Sequence, residues 1–225
     1  KQRVAIGRAL LSAPKLLLLD EPLANLDHQA AQQCLGYLQR LEDELDLPML
    51  YVSHDIEEVS QLADHLVLME DGQVMDQGST LDLCSRLDTR LSQEEQAAAI
   101  TLCKIARHDP DFGLTELDLE GHPLFVSHLD QNPGQRRRVR IPARDVSICR
   151  QHPRDSSILN ILPVTLLDMH ESGEARLMLR LAIGGQHLLA RITRKSAHHL
   201  QLQVGDTLFA QVKSAALLME AGDKM

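Results

Sequence analysis

Aromatic residues make up 2% of this 225-residue chain, with no Trp, so any core must rest on Leu, Val, Ile and Ala. Cysteine is sparse too: Cys34, Cys84, Cys103 and Cys149 stand far apart. No Cys-x-x-Cys pair occurs, which excludes a zinc knuckle or a thioredoxin-like redox motif. The four read as reduced core thiols of a cytosolic protein. No run of about 18 apolar residues occurs, so no segment reads as a membrane-crossing helix. Basic charge is also short, the formal net charge being -9. Binding a phosphate backbone needs a basic surface, so nucleic acid is not expected as a partner. The one basic run, Arg136-Arg137-Arg138 with Arg140 in RRRVRIP, reads as the exposed start of a strand.

What is present falls into two styles. Residues 2–12 carry a helical pattern that Pro14 ends. KLLLLD, residues 15–20, reads as a strand buried on both faces of a parallel sheet. Asp27 is placed to cap the next helix, whose Ala31, Cys34, Leu35, Leu38, Leu41 and Leu45 follow helical spacing. Pro48 opens a second buried strand, MLYVS, and a helix follows to about Ala63. HLVLMEDGQVMDQG reads as a hairpin turning at Asp71-Gly72. Ser79 and Asp82 have the spacing of a capping box. Strand and helix thus alternate as in an α/β half-domain over residues 1–92.

From about residue 93 the segments are short, alternating and punctuated by turns, an all-β pattern. A polar break, RQHPRDSS, divides it into an accessory unit over 93–150 and a second unit over 151–225. The two repeat faintly. GLTELDLEGHPLFVSHL parallels ARLMLRLAIGGQHLLARI, and VRIPARDVSI parallels AQVKSAALLM. Units of about 55 to 65 residues are small for independent stability, so packing together or across a dimer is expected.

LLLLDEP has a chemical reading. An apolar strand carries Asp20 to the edge of a sheet, where it can help hold Mg²⁺ beside nucleotide phosphates. Glu21 can then act as general base on the attacking water. The second strand ends at His54, which can hydrogen-bond the γ-phosphate and that water. Ligands bind at the carboxyl ends of such parallel strands.

QRVAIGRALLSAPKLLLLDEPLANLD followed by YVSHD closely resembles the ATPase subunit of ABC transporters over residues 1 to about 90. The resemblance implies that Lys1-Gln2-Arg3 is the tail of the signature motif, with Gln2 near nucleotide. It implies that LLLLDE is the Walker B strand, with Asp20 toward Mg²⁺ and Glu21 catalytic. LANLD is then the D-loop with Asp27 near nucleotide, and His54 the switch histidine. ATP and Mg²⁺ are the implied cofactors. The family's phosphate loop, Gly-x-x-x-x-Gly-Lys-Ser/Thr, is not found in the 225 residues. The chain opens on Lys1 within a helical pattern and is read as a fragment or the product of an internal start.

SSILN and AQVKSAALL are strand-end segments whose Ser, Asn and Lys can donate to an anion or simply cap strands and face water. They resemble the small molybdate-binding Mop barrel of molybdate-importer ATPases. The resemblance implies an OB-like, TOBE/Mop-type barrel in which Ser157, Asn160, Lys213 and Ser214 hold the oxyanion. Leu159 stands where the family pattern has arginine, which removes a charge-assisted bond. Arg191, Arg194 and Lys195 are nearby candidates to replace it. The preceding unit resembles the accessory barrel of the same importers.

Together the resemblances imply the C-terminal part of the ATP-hydrolysing subunit of a molybdate or tungstate importer. It would be a homodimer docked on membrane permease subunits at the cytoplasmic face of the inner membrane. Two other readings stay open: an importer ATPase for sulfate, a sugar, a polyamine or iron, with structural barrels, and a stand-alone oxyanion store or sensor. Without a phosphate loop, Asp20 and Glu21 have little to act on. This chain alone is therefore expected to show no family-like turnover at saturating Mg-ATP in a phosphate-release assay.

Overall fold

The computed structural model describes residues 2–45 and 47–213, with their side chains outside 2, 3, 28 and 42–45. The chain divides into two compact units at Asp64 and His65.

The first unit runs α1 (Gln2–Leu11), β1 (Leu17–Asp20), α2 (His28–Leu45), β2 (Met49–Val52) and α3 (Ile56–Leu62). β1 and β2 pair in parallel, from Leu17↔Met49 to Asp20↔Val52. α2 begins where Asp27 Oδ1 accepts the Ala30 N–H at 2.9 Å. This satisfies one of the unpaired donors of the first turn. Cys34, Leu35 and Leu38 of α2 pack with Leu17, Leu19, Leu23 and Leu62. The expectation of strands buried on both faces is corrected. Side chains alternate across a strand. Leu17 and Leu19 enter the core, whereas Leu18 is 65% exposed and Leu50 and Val52 are exposed on β2. Among the described residues the packed cluster covers one face of the sheet.

The second unit opens with the hairpin β3 (His65–Glu70) and β4 (Gln73–Ser79). Its turn is Asp71-Gly72, both left-handed. α4 (Thr80–Leu83) and α5 (Arg90–Gln93) follow. Ser79 makes no side-chain cap, so the expected capping box does not form. Asp82 pairs with Arg180 at 3.3 Å instead. The sequence boundary at 92/93 is also not where packing divides. Leu87 clusters with Ala97, Ala99, Ala143, Met178 and Leu189, so this stretch packs on the strands that follow.

Those strands are β5 (Ala98–Asp109), β6 (Leu114–Leu119), β7 (His122–Ser127), β8 (Arg136–Pro142) and β9 (Val146–Cys149). Then come β10 (Asn160–Glu171), β11 (Arg176–Ile183), β12 (Gln186–Thr193), α6 (Arg194–His199) and β13 (Thr207–Val212). They form two antiparallel sheets, ordered β7-β6-β5-β8 and β12-β11-β10-β13-β9. The repeat is real. β5–β8 and β10–β13 share one strand order. Their first strands are each bulged, between Ile105 and Arg107 and between Leu166 and Asp168.

The two repeats are not separable at 150/151. β9 leaves the first repeat and pairs with β13 of the second, Val146↔Val212 to Cys149↔Phe209. One apolar cluster spans both, with Cys103, Ile105, Leu117, Val139 and Ile141 beside Leu162, Leu166, Leu179, Leu188 and Leu208. Burial pushes the Cys84 and Cys103 thiols up to about 12, which keeps them protonated and unreactive. In RRRVRIP, Arg136 is exposed as expected. Arg140 is 4% exposed and donates to the Gln96 carbonyl.

Two side-chain amides stitch the repeats. Asn160 Oδ1 accepts the Phe125 N–H at 2.6 Å and Nδ2 donates to the Phe125 carbonyl at 2.9 Å. Gln186 does the same to Leu102, at 2.6 and 2.9 Å. Since β10 is the counterpart of β5, and β12 of β7, the two stitches span equivalent gaps. Nearby, Gly184 is left-handed, and a Cβ there would lie 2.5 Å from Glu120 Oε2. Replacing Asn160 by Ala leaves a main-chain donor and acceptor without these partners. It is expected to cost about 2–4 kcal/mol. Gly184→Ala is expected to destabilise as well, both read by urea denaturation followed by circular dichroism.

Candidate functional site

The carboxyl ends of β1 and β2 bring three of the expected residues together. Asp20 is the last residue of β1, exposed and level with Val52. Glu21 follows with φ +43. A left-handed conformation costs a non-glycine residue roughly 1–2 kcal/mol. Glu21 is held in it by its N–H bond to the Val52 carbonyl at 2.9 Å. The turn swings its carboxylate across to the next strand. There Oε1 accepts the His54 N–H at 3.1 Å and lies 2.8 Å from His54 Nδ1. With an ionised carboxylate opposite, Nδ1 carries the hydrogen and donates.

The hydrogen bond to Glu21, and then its charge, raise the His54 pKa above the ordinary 6.5. The imidazolium form is favoured, and His54 itself is exposed. The pairing contributes fully below the unfolded value near 6.5 and is lost as pH rises through the raised folded value.

Sequence reasoning missed the residues behind His54. Tyr51 Oη and Ser53 Oγ both donate to Glu58 Oε2, at 2.7 and 2.9 Å. Ser53 Oγ also accepts the Asp55 N–H, and Asp55 Oδ1 caps α3 through the Glu57 N–H. Burial, and then the bond to Glu58, raise the Tyr51 pKa, so its hydroxyl stays a donor. The signal was present in YVSHDIEE. Tyr51 and Ser53 are two residues apart, and Glu58 lies in the first turn of the following helix. Asp27 spends one carboxylate oxygen on its helix cap, and the side chain of Gln2 lies outside the described residues.

The second cluster sits where β10 begins and β13 ends. Asn160 pairs with Val212, so Lys213 follows directly on the neighbouring strand. Ser157 and Lys213 are exposed, Leu159 is 55% exposed, and Ser214 lies outside the described residues. Asn160 is fully buried, with its amide on the Phe125 main chain. The anchored serine is Ser156, whose Oγ accepts from Gln211 Nε2 at 3.2 Å and from the Ile158 N–H at 3.1 Å. Arg191 and Arg194 do not replace the missing arginine. Arg191 donates to the Glu94 and Glu95 carbonyls, and Arg194 to the Glu174 carbonyl and the Glu171 carboxylate.

A carboxylate and an imidazole meeting at parallel strand ends, ahead of a repeated antiparallel body, give the class: an α/β segment joined to an all-β domain. Residues 156–219 match the TOBE domain family. More particularly, the chain is similar to curated proteins named "Molybdenum import ATP-binding protein ModC". It is 46% identical over 218 residues to that of Aromatoleum aromaticum, covering 97% of this chain and 58% of the relative. It is 47% identical over 221 residues to that of Pseudomonas aeruginosa, covering 97% and 61%. The chain thus spans about three fifths of the length of these relatives. A solved molybdate-binding protein, ModG, matches 55% of this chain and 95% of its own at 17% identity, with a TM-score of 0.46.

His54 is expected to titrate above free imidazole in an NMR pH series. In Glu21→Gln its midpoint should fall toward 6.5, because the carboxylate charge that favours the imidazolium is gone.

Proposed function

We propose that this chain is the C-terminal part of the ATP-hydrolysing subunit of an importer for molybdate, with tungstate as the near analogue. The subunit works as a homodimer on membrane permease subunits, peripheral to the cytoplasmic face of the inner membrane, and without nucleic acid. The observation that carries the reading is the Glu21–His54 pair beside Asp20 at the strand ends. Similarity to molybdenum import ATP-binding proteins along 97% of the chain supports it.

In the whole subunit, Glu21 takes a proton from water as oxygen attacks the γ-phosphorus and the bond to the β-phosphate oxygen breaks. His54, as imidazolium, donates toward the γ-phosphate and holds Glu21 in line. Asp20 offers an exposed hard oxygen ligand that fits Mg²⁺; when bound, the ion neutralises charge developing on the phosphates. Gln2 and Asp27 belong to the nucleotide-facing set. The phosphate cradle itself is not in these residues.

The β domain is read as an oxyanion site with Ser157, Asn160, Lys213 and Ser214. A second reading has two specific observations in its favour. Leu159 is apolar and exposed, and the Asn160 amide already holds Phe125. The barrels would then be structural, and the solute could also be sulfate, a sugar, a polyamine or iron. The store or sensor reading differs again, since it needs anion binding but no ATP turnover.

Two measurements separate these. The intact subunit should hydrolyse ATP and lose at least about 10²-fold in kcat with Glu21→Gln. Calorimetry of this chain with molybdate, against sulfate as control, should give selective binding if the oxyanion set works. A folded chain that binds neither anion makes the barrels structural.

A further inference from the structure

The His54 loop is pinned from behind by one carboxylate that has no part in the chemistry proposed above. Ser53, His54 and Asp55 are the whole connection between β2 and α3. On its far side, Glu58 Oε2 takes the hydroxyl hydrogens of Tyr51, one residue inside the strand, and of Ser53, one residue before His54. The same Ser53 oxygen accepts the N–H of Asp55, one residue after His54. So both neighbours of His54 are tied, through Ser53 Oγ, to a residue fixed on the first turn of α3. Asp55 fixes that turn in addition by capping it. The Tyr51 ring packs against the core of the first unit, so the anchor is rigid at both ends. What remains to His54 is one backbone direction, with its N–H and its ring Nδ1 both on Glu21 Oε1.

We infer that Glu58 is a positioning residue for His54: it fixes the peptide on which His54 meets Glu21, and sets their geometry without touching nucleotide. The inference rests on the ATPase reading for its effect on turnover, but not for its effect on the pair. Misplacing a catalytic group by about 1 Å can cost on the order of 10²-fold in rate. Substrate binding through other residues is left as it was.

The test uses the intact ATP-hydrolysing subunit and four variants: Glu58→Ala, Glu58→Gln, His54→Ala, and Glu58→Ala with His54→Ala. Glu58→Ala should lower kcat by at least about tenfold with the KM for ATP within about twofold. Glu58→Gln keeps an oxygen able to accept from both hydroxyls and should hold kcat within a few-fold. In the His54→Ala background, Glu58→Ala should cost little more, because its effect passes through His54. An equal loss with and without His54 would mean a general structural role and overturn the inference. So would unchanged turnover in Glu58→Ala, or a Glu58→Gln variant as poor as Glu58→Ala. In parallel, NMR of the His54 ring in this chain reads the pairing without turnover. Both Glu58→Ala and Glu58→Gln remove a negative charge that helps raise His54, so Glu58→Ala should move the titration midpoint clearly further toward free imidazole than Glu58→Gln does. If the intact subunit shows no turnover, the ATPase reading falls. The ring titration then decides the positioning role alone, and equal His54 midpoints in Glu58→Ala and Glu58→Gln would overturn it.

Discussion

Neither β repeat can close its own core, and the organisation of the second unit follows from that shortage. A unit of about sixty residues buries too small a share of its surface to be secure alone. Here Ile105, Leu117 and Ile141 of one repeat lie in the same cluster as Leu162, Leu179 and Leu208 of the other. Bringing the sheets together for this burial leaves main-chain groups of Leu102 and Phe125 facing side chains rather than strands. Two amides meet them, since an amide offers a donor and an acceptor at nearly peptide spacing. Asn160 and Gln186 are in that sense short substitutes for a missing strand.

The first unit solves a different problem, which is to aim two charged groups at each other from adjacent strands. Parallel pairing puts Asp20 level with Val52, but the next residue would naturally run on past the sheet. The left-handed turn at Glu21 brings its side chain back across the strand ends. The cost of that conformation is offset by the hydrogen bonds to Val52 and His54. Strained residues over-determined by several partners in this way cluster at functional sites.

Much of this was legible beforehand. The helix cap at Asp27, the hairpin turn at Asp71-Gly72 and the repeat all depend on short-range patterns, and residue type and spacing carry those. That Glu21 and His54 stand at neighbouring strand ends was implied by two apolar strands ending in polar residues, but their direct hydrogen bonds were not. What escaped reading was non-local. No pattern in RRRVRIP says that Arg140 turns inward to the Gln96 carbonyl. Nothing in SSILN says that Asn160 faces Phe125 from across the unit, because its partner is a backbone and leaves no mark on composition. Leu16 to Leu19 looked doubly buried because a run of leucines does not report how many of its faces are covered.

The exchange of β9 bears on what holds the chain together. The exposed stretch from Gln151 to Ser157 looks like a linker between domains, where a protease would release two independent pieces. It is instead a link within one body. β9 stays paired to β13, and Arg150 remains on the Leu200 carbonyl and on the Asp206 carboxylate. Cutting that stretch would cost the molecule its covalent continuity and little of its assembly. The two polypeptides would travel together as a noncovalent heterodimer made from one gene.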